Sequence, residues 1–110
     1  MDTFSAIAEP RRRKVVEILA HRGQLSATQI CNEFDVTPQA ISQHLKVLRE
    51  ANVIQLERRA QQRLYAVNPQ SMYQIVRWAA DMAEMWNSSL DRLDKALKDD
   101  AMSRVGEERK

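Results

Sequence analysis

The stretch of sequence that decides the fold is TPQAISQHLKVLREA, residues 37–51. Thr37 followed by Pro38 is a strong start signal for a helix, because threonine caps the first turn and proline fits its first position. Winding the segment at about 100° per residue places the apolar residues on one side. These residues are Ile41, Leu45 and Leu48. We therefore predict an amphipathic helix with its apolar side against a core.

The other side of this helix is polar and carries no acidic residue before its last turn. Its members are Gln39, Ser42, Gln43 and Lys46. Such side chains suit base edges and phosphates in a DNA major groove about 12 Å wide. Thr37 at the helix start and His44 at the margin of the apolar side complete the candidate contacts. A packed or hydrogen-bonded residue is the more common role for a histidine at such a margin, although its edge could reach a phosphate. An ordinary solvated helix face is the competing interpretation, and the exclusion of acids favours DNA.

A shorter helix is predicted just before this one. Ser26 and Gln29 have the spacing of a capping box. The apolar side of the short helix consists of Ala27, Ile30 and Phe34. A three-residue turn over positions 35–37 would separate the two helices. A short helix, a tight turn and a longer helix form a helix-turn-helix motif, here over about residues 26–51.

The remaining N-terminal sequence predicts two more helical segments. Pro10 opens a helix that ends near Gly23, and positions 2–8 form one or two helical turns. With 110 residues the chain fits one domain, which we predict over residues 1–98, followed by a frayed polar tail over residues 99–110. A domain of this size buries a limited share of its surface, so we expect a partner to complete its core.

After Asn52 the pattern changes from helical spacing to short apolar runs, over residues 53–56 and 64–67. Two such runs around a polar stretch are typical of a β-hairpin, here a wing over about residues 53–67. Its turn is predicted at residues 60–62. The polar stretch carries three arginines, Arg58, Arg59 and Arg63. Arginines at a hairpin tip can straddle phosphates, whereas a solvated charge run is the competing interpretation.

A last helix of about thirty residues is predicted over residues 69–98. Apolar residues recur along it at spacings of three and four: Ile75, Ala79, Met82, Trp86, Leu90, Leu93 and Leu97. The rest of the domain is too short to cover this stripe, so it should pair with a second copy, joined by Phe4. The predicted fold is mainly α with a small β-hairpin, a winged helix-turn-helix that dimerises through its long C-terminal helix.

Composition narrows the possible functions. The net charge of +2 is too small to indicate nucleic acid, but residues 36–70 carry five basic and two acidic side chains, a surplus of +3. Cys31 is the single cysteine, and His21 and His44 lie on different helices, so no metal or cofactor is predicted. The serines lack a histidine–acid partner and there is no glycine-rich phosphate loop, which argues against an enzyme. Without a signal-like or membrane-spanning segment, we expect a cytoplasmic protein.

These segments resemble the ArsR-type family of bacterial winged-helix repressors. The resemblance lies in AEPRRRKVVEIL, VTPQAISQHLKVLREANVI and ERRAQQRLYAVNP. The last helix is similar to a branch of that family with two tryptophans, here Trp78 and Trp86. The resemblance implies a homodimer that pairs its terminal helices, reads a palindromic operator in double-stranded DNA and represses transcription.

The sequence also departs from the family. The family commonly has threonine at Arg11, glycine at Asn52 and a glycine in the wing turn, so a longer or looser wing turn is expected here. Metal-sensing members carry a cysteine pair in the first helix of the motif, or acid and histidine ligands on the last helix. Neither set is present in this sequence, so we expect a regulator that does not sense metal.

Three alternatives remain open at this level. A winged helix can serve as a protein-interaction module without DNA binding. A regulator could instead respond to an apolar ligand in a pocket lined by Trp and Met side chains, or to oxidation of Cys31. The ligand-binding candidates are Trp78, Trp86, Met72, Met82 and Met85. Dimer core is the more common role for such side chains, and a packed thiol is the more common role for a single cysteine.

Overall fold

The computed structural model describes residues 1–108, which form five helices and one antiparallel hairpin. In chain order these are α1 (Thr3–Ala8), α2 (Pro10–Arg22), α3 (Ala27–Cys31), α4 (Pro38–Glu50), β1 (Ile54–Arg59), β2 (Gln62–Val67) and α5 (Pro69–Glu108). The predicted class, mainly α with a small β-hairpin, is confirmed. The chain divides into two compact units, Met1–Ile75 and a second that begins at Val76. The helix-turn-helix and the hairpin both lie in the first unit.

The core of the first unit is apolar and draws on every element from α1 to β1. Its most fully buried large side chains are Val15, Leu19, Ile30, Ile41, Leu48 and Val53. Leu45 is also buried, so the predicted apolar side of α4 is confirmed. One side of α4 is therefore committed to the core, and the other is left for contacts outside the fold.

Truncating this core at α4 should destabilise the protein strongly. Leu48 is fully buried, so Leu48→Ala removes methyl groups and leaves a cavity, at an expected cost of about 2–5 kcal/mol in the free energy of unfolding. Gln43→Ala, on the exposed side of the same helix, is the control and should change the free energy of unfolding by less than about 0.5 kcal/mol. Urea unfolding at one fixed protein concentration measures both. Equal stability of the two variants would contradict the assignment of the two helix sides.

Local capping signals explain where the helices begin. The Thr37 hydroxyl accepts a hydrogen bond from the Ala40 N–H at 3.2 Å and opens α4. The predicted capping box of α3 is present, with the Ser26 N–H donating to the Gln29 side chain at 2.8 Å and the Gln29 N–H donating back at 3.2 Å. Each bond satisfies an N–H group that has no partner inside its helix, so these short elements start at fixed residues.

The turn of the helix-turn-helix is longer than predicted. Helix α3 ends at Cys31, so Phe34 lies in the connection and the expected three-residue turn is wrong. After α3 the Glu33 N–H donates to the Ile30 carbonyl at 3.0 Å, and the Phe34 N–H donates to the Cys31 carbonyl at 3.1 Å. These i→i−3 bonds tighten the chain and stop the helix. Phe34 nevertheless packs against the core, with the Lys14 ammonium 5.1 Å from its ring centre.

The hairpin is longer, and its turn tighter, than the sequence indicated. Arg59 pairs with Gln62, which leaves a two-residue turn at Ala60 and Gln61. The expectation of a looser turn at residues 60–62 is therefore wrong. Ala60 takes the place of glycine with φ of 55°, a left-handed conformation that costs a residue with a Cβ about 1 kcal/mol. Two-residue turns with positive φ match the twist of the flanking strands, and that match keeps the turn short.

A third segment steadies the base of the hairpin. Leu25, between α2 and α3, forms an antiparallel bridge with Tyr65 on β2. The Leu25 N–H donates to the Tyr65 carbonyl at 3.1 Å, and the Tyr65 N–H donates to the Leu25 carbonyl at 2.7 Å. Because two strands alone are marginal in water, this bridge ties the wing to the connection that leads into the helix-turn-helix.

Helix α5 begins as predicted and ends later. The Asn68 side chain caps it by accepting from the Gln70 N–H at 3.1 Å, and donates to the Asn52 carbonyl at 2.8 Å. The helix does not stop at residue 98 but continues to Glu108, and the last two residues of the predicted tail lie outside the described residues. Loss of the apolar stripe does not end a helix, since each added residue still gains a backbone hydrogen bond.

Candidate nucleic-acid interface

The polar side of α4 is an exposed surface on a helix whose other side is buried. All four predicted members of this surface are exposed: Gln39, Ser42, Gln43 and Lys46. We call this set the reading face. Thr37 is exposed as well, but its hydroxyl is already engaged as the cap of α4. The structure therefore leaves five of the six predicted contacts exposed, and four of them share the outer side of α4.

Sequence reasoning missed one cation on this helix. Arg49 is exposed, and it lines a shallow open cleft with Lys46 and Glu50. Its position seven residues after Ser42 places it close to the reading face, since seven residues make nearly two helical turns. The spacing in the sequence could have revealed it. Arg49 adds positive charge beside Lys46, while Glu50 brings an acid into the last turn.

His44 is set apart from the reading face. Its side chain is 16% exposed and its Nδ1 lies 3.8 Å from Oε2 of Glu9, which is 34% exposed. That distance is longer than a hydrogen bond, and the pair is an ion pair only when the imidazole is protonated. Of the six predicted α4 contacts, His44 is thus the one that turns towards the α1–α2 junction.

Glu9 holds a fixed negative charge opposite this histidine. Burial raises the pKa of its carboxyl, but hydrogen bonds from the backbone N–H groups of Arg12 and Arg11 and the nearby charges of His44 and Arg12 hold the pKa below its ordinary value. The Arg12 N–H lies 2.9 Å from Oε2. A carboxyl with a lowered folded-state pKa stabilises the fold above its unfolded pKa, and this contribution disappears as the pH falls through the folded-state value.

The wing arginines divide between the two faces of the hairpin. Arg58 lies directly opposite Arg63 in the strand register, so both side chains project from the same face. Arg59 neighbours Arg58 on β1 and therefore projects from the other face. All three are exposed. Like charges directly opposite each other are unfavourable, with Cβ atoms about 4.5–5.5 Å apart, so the pair of Arg58 and Arg63 concentrates positive charge on one face of the hairpin.

The middle of the wing is connected by a side-chain contact to the segment between α2 and α3. Gln24 donates a hydrogen bond from Nε2 to a carboxylate oxygen of Glu57, which lies on β1 next to Arg58. Together with the Leu25–Tyr65 bridge, this bond holds the strands that carry the arginines. The wing and the reading face therefore belong to one packed unit.

The second unit carries most of the predicted dimer stripe on α5. Ile75, at the end of the first unit, is partly buried, and Phe4 on α1 is 37% exposed. The remaining stripe residues are all exposed: Ala79, Met82, Trp86, Leu90, Leu93 and Leu97. Trp86, Leu93 and Leu97 each expose more than half of their surface, 65%, 56% and 60%. One side of a helix thus presents large apolar side chains that this chain alone does not cover.

Among the residues that the structure describes, no group of three or more His, Cys, Asp or Glu side chains is placed to hold a metal ion. Within the same part of the chain, no helix is both long and apolar enough to cross a membrane. The Cys31 thiol is free and partly buried, packed against the core.

Comparison with known proteins points to one family. The family described as bacterial regulatory protein, arsR family, matches residues 9–55. The transcriptional repressor SdpR of Bacillus subtilis is 29% identical over 89 residues, which cover 81% of this chain and 98% of SdpR. The HTH-type transcriptional regulator Rv2034 of Mycobacterium tuberculosis is 31% identical over 87 residues, 79% of this chain and 78% of that protein.

Solved structures agree with these relatives. A possible transcriptional regulator for arsenical resistance superposes with a TM-score of 0.65 at 33% identity, covering 84% of this chain and 93% of that one. An ArsR family transcriptional regulator superposes with a TM-score of 0.67 at 26% identity, covering 78% and 88%. The fold and these relatives define a winged helix-turn-helix protein of the DNA-binding transcriptional regulator class. Within that class, the chain belongs to the ArsR family.

Proposed function

We propose that this protein is a homodimeric transcriptional repressor that binds a palindromic operator in double-stranded DNA. The observation that carries the proposal is the reading face, where Gln39, Ser42, Gln43 and Lys46 are exposed on a helix anchored by its buried side. Amide groups can form paired hydrogen bonds with adenine in the major groove, and lysine contacts phosphates or guanine. The repressor role follows SdpR, whose name describes it as a repressor.

The wing supplies affinity that does not depend on sequence. Arg58 and Arg63 share one face of the hairpin, so a phosphate between them relieves their mutual repulsion. Arg59 reaches a second phosphate from the other face. The enzyme alternative has no support among relatives, which are regulators of transcription.

The proposal of a homodimer rests on α5. Large apolar side chains such as Trp86 and Leu93 are exposed along one side of this helix, while the opposite side carries Ser88 and Lys95. A contiguous exposed apolar stripe of this length normally marks an interface. Spacings of three and four residues match the packing of two helices, and a second copy offers the same stripe. A two-fold dimer presents two reading faces to half-sites about 34–36 Å apart.

No metal-dependent step is included in the proposal. Cys31 is the single cysteine of the sequence, and His21 and His44 stand on α2 and α4. The family's metal sensors use a cysteine pair or acid and histidine ligands on the last helix, and this sequence has neither set. Addition of zinc, cadmium or arsenite to the purified protein is therefore expected to leave its operator affinity unchanged.

Selection from a random-sequence duplex library tests the proposal. We expect the enriched sequences to share an inverted repeat with half-sites one helical turn apart. A library that enriches nothing would contradict sequence-specific binding. Capture of DNA by the protein without any salt dependence would equally contradict it, because phosphate contacts release counterions.

The wing arginines make a separate prediction. The double variant Arg58→Ala/Arg63→Ala should weaken binding to the selected duplex and to a scrambled duplex alike. Because each protomer is proposed to hold one phosphate between these arginines, the slope of log affinity against log salt should become shallower by about 2 units for the dimer. Lys95→Ala is the control: it removes an exposed cation from α5 and should leave the slope unchanged. Fluorescence anisotropy between 50 and 200 mM salt measures both variants. An unchanged slope in the double variant would remove the wing from the DNA interface.

A further inference from the structure

His44 occupies a position on α4 that neither the core nor the reading face explains. It follows Gln43 directly, yet its side chain is 16% exposed and points to Glu9, with Nδ1 3.8 Å from Oε2. The neighbouring core residues Ile41 and Leu45 are apolar and fully or almost fully buried. His44 is therefore a polar residue at the border between the buried side and the reading face, and it contacts the junction of α1 and α2.

Glu9 is held rigidly on its own side of the contact. It is the residue that ends α1 and begins α2, and its carboxylate accepts a hydrogen bond from the Arg12 N–H at 2.9 Å. Its backbone carbonyl accepts from the Arg13 N–H at 3.0 Å. The Arg12 guanidinium in turn donates to the Ala6 carbonyl at 2.6 Å. The carboxylate that faces His44 is thus fixed to the start of α2, and the Arg12 side chain links α2 to α1.

We propose that His44 is a positioning residue for DNA recognition, and that its contact with Glu9 acts together with the core packing to set the rotation of α4 about its own axis. This inference rests on the proposed DNA-binding function. Ile41, Leu45 and Leu48 pack α4 against the core. The contact with Glu9 adds a polar restraint at the margin of that buried side. A rotation of about 15° would move side-chain ends on the reading face by about 1.5 Å, since they lie about 5–6 Å from the helix axis. Hydrogen bonds to base edges do not tolerate such a displacement.

The same contact contributes little to folding. At 3.8 Å between partly exposed groups it is a weak ion pair even when the histidine is protonated. Loss of the contact should therefore leave the stability almost unchanged while it alters the orientation of Gln43. This separation between stability and recognition distinguishes a positioning role from a purely structural one.

Two substitutions of Glu9 separate its roles. Glu9→Asp keeps the charge and a strong N-cap for α2 but is one methylene shorter, so it withdraws from His44. Glu9→Gln keeps the length and the capping oxygen but removes the charge. His44→Gln keeps a polar side chain of similar length on the other side of the contact. Glu17→Gln is the matched control, since Glu17 is an exposed acid on the same helix.

The measurement is the affinity for the duplex selected by the wild-type protein, divided by the affinity for a scrambled duplex of equal length. We expect this ratio to fall about fivefold in Glu9→Asp, in Glu9→Gln and in His44→Gln, with nearly unchanged affinity for scrambled DNA. The double variant Glu9→Asp/His44→Gln should be no worse than either of its single variants, because one contact is lost in all three. Glu17→Gln should retain the wild-type ratio. Urea midpoints of Glu9→Asp, His44→Gln and Glu17→Gln should remain close to the wild type, whereas Glu9→Gln loses the charged cap of α2 and should unfold at a somewhat lower urea concentration.

The outcomes distinguish the two proposals. An unchanged ratio in both Glu9→Asp and His44→Gln, in the presence of wild-type selectivity, would overturn the positioning role and leave the proposed function intact. Equal losses for both duplexes together with a lowered urea midpoint would show a structural role and overturn it as well. Absence of any preferred duplex for the wild-type protein would overturn the proposed function, and the positioning role with it.

Discussion

Leu93→Asp is expected to leave the protein monomeric and to reduce its affinity for the selected operator by more than about 100-fold. Leu93 is 56% exposed in the single chain, so the charge is tolerated there. In the proposed dimer the same carboxylate would be buried without a partner, which strongly disfavours pairing. A monomer contacts one half-site, and its binding falls towards the nonspecific range. Trp86→Asp on the same stripe should behave alike.

Ser88 is the matched control position. Ser88→Asp introduces the same charge on the opposite side of α5, beside Glu84, Asp91 and Arg92, and should remain dimeric. Sedimentation velocity gives the oligomeric state, and anisotropy with the selected duplex gives the affinity. The core of the first unit does not include Leu93, so the far-ultraviolet spectrum should remain helical. Persistence of the dimer in Leu93→Asp would remove this stripe from the interface.

Gln43→Ala and Lys46→Ala are expected to weaken operator binding in different ways. Loss of the Gln43 amide removes base-edge hydrogen bonds, so we expect a cost of about 1–3 kcal/mol on the preferred duplex and a relaxed preference at one base pair of each half-site. Loss of the Lys46 ammonium should weaken binding to all duplexes about equally and flatten the salt dependence by about one unit per protomer. Both side chains are exposed, so neither change should unfold the protein.

These two variants can be compared with matched changes elsewhere in the chain. Gln55→Ala on β1 removes an exposed amide outside α4, and Lys95→Ala removes an exposed cation on α5. Repeating the library selection with Gln43→Ala shows directly whether one position of the recognised sequence has lost its preference. Full retention of both affinity and preference in the two α4 variants would exclude the reading face from DNA contact.

Much of the first unit is determined by local signals, and these could be predicted from the sequence. The Thr37–Pro38 start of α4, the Ser26–Gln29 capping box and the positive φ of Asn52 each depend on a few adjacent residues. The buried side of α4 follows from its helical spacing. The residues of α4 that lie outside its buried side are exposed, so the members of the reading face could be predicted as well.

Other features depend on competition between interactions and could not be predicted in this way. Phe34 continued the apolar spacing of α3, yet the chain had already left the helix at Cys31, and Phe34 packs from the connection instead. Ala60 offered no glycine signal, although the twist of the paired strands imposes a positive φ on it. The contact between Glu9 and His44 joins residues 35 positions apart, so only the packing of α2 against α4 reveals it.

The bridge between Leu25 and Tyr65 has an entropic consequence for association with DNA. A wing held only by its own turn would be a loose ribbon, and binding would have to immobilise it. Here β2 is paired on both edges near its middle, with Leu25 on one side and Leu56 of β1 on the other. The middle of the ribbon is therefore ordered when the chain folds. In the proposed complex, less conformational freedom is then left to be lost when the arginines at the tip contact phosphates.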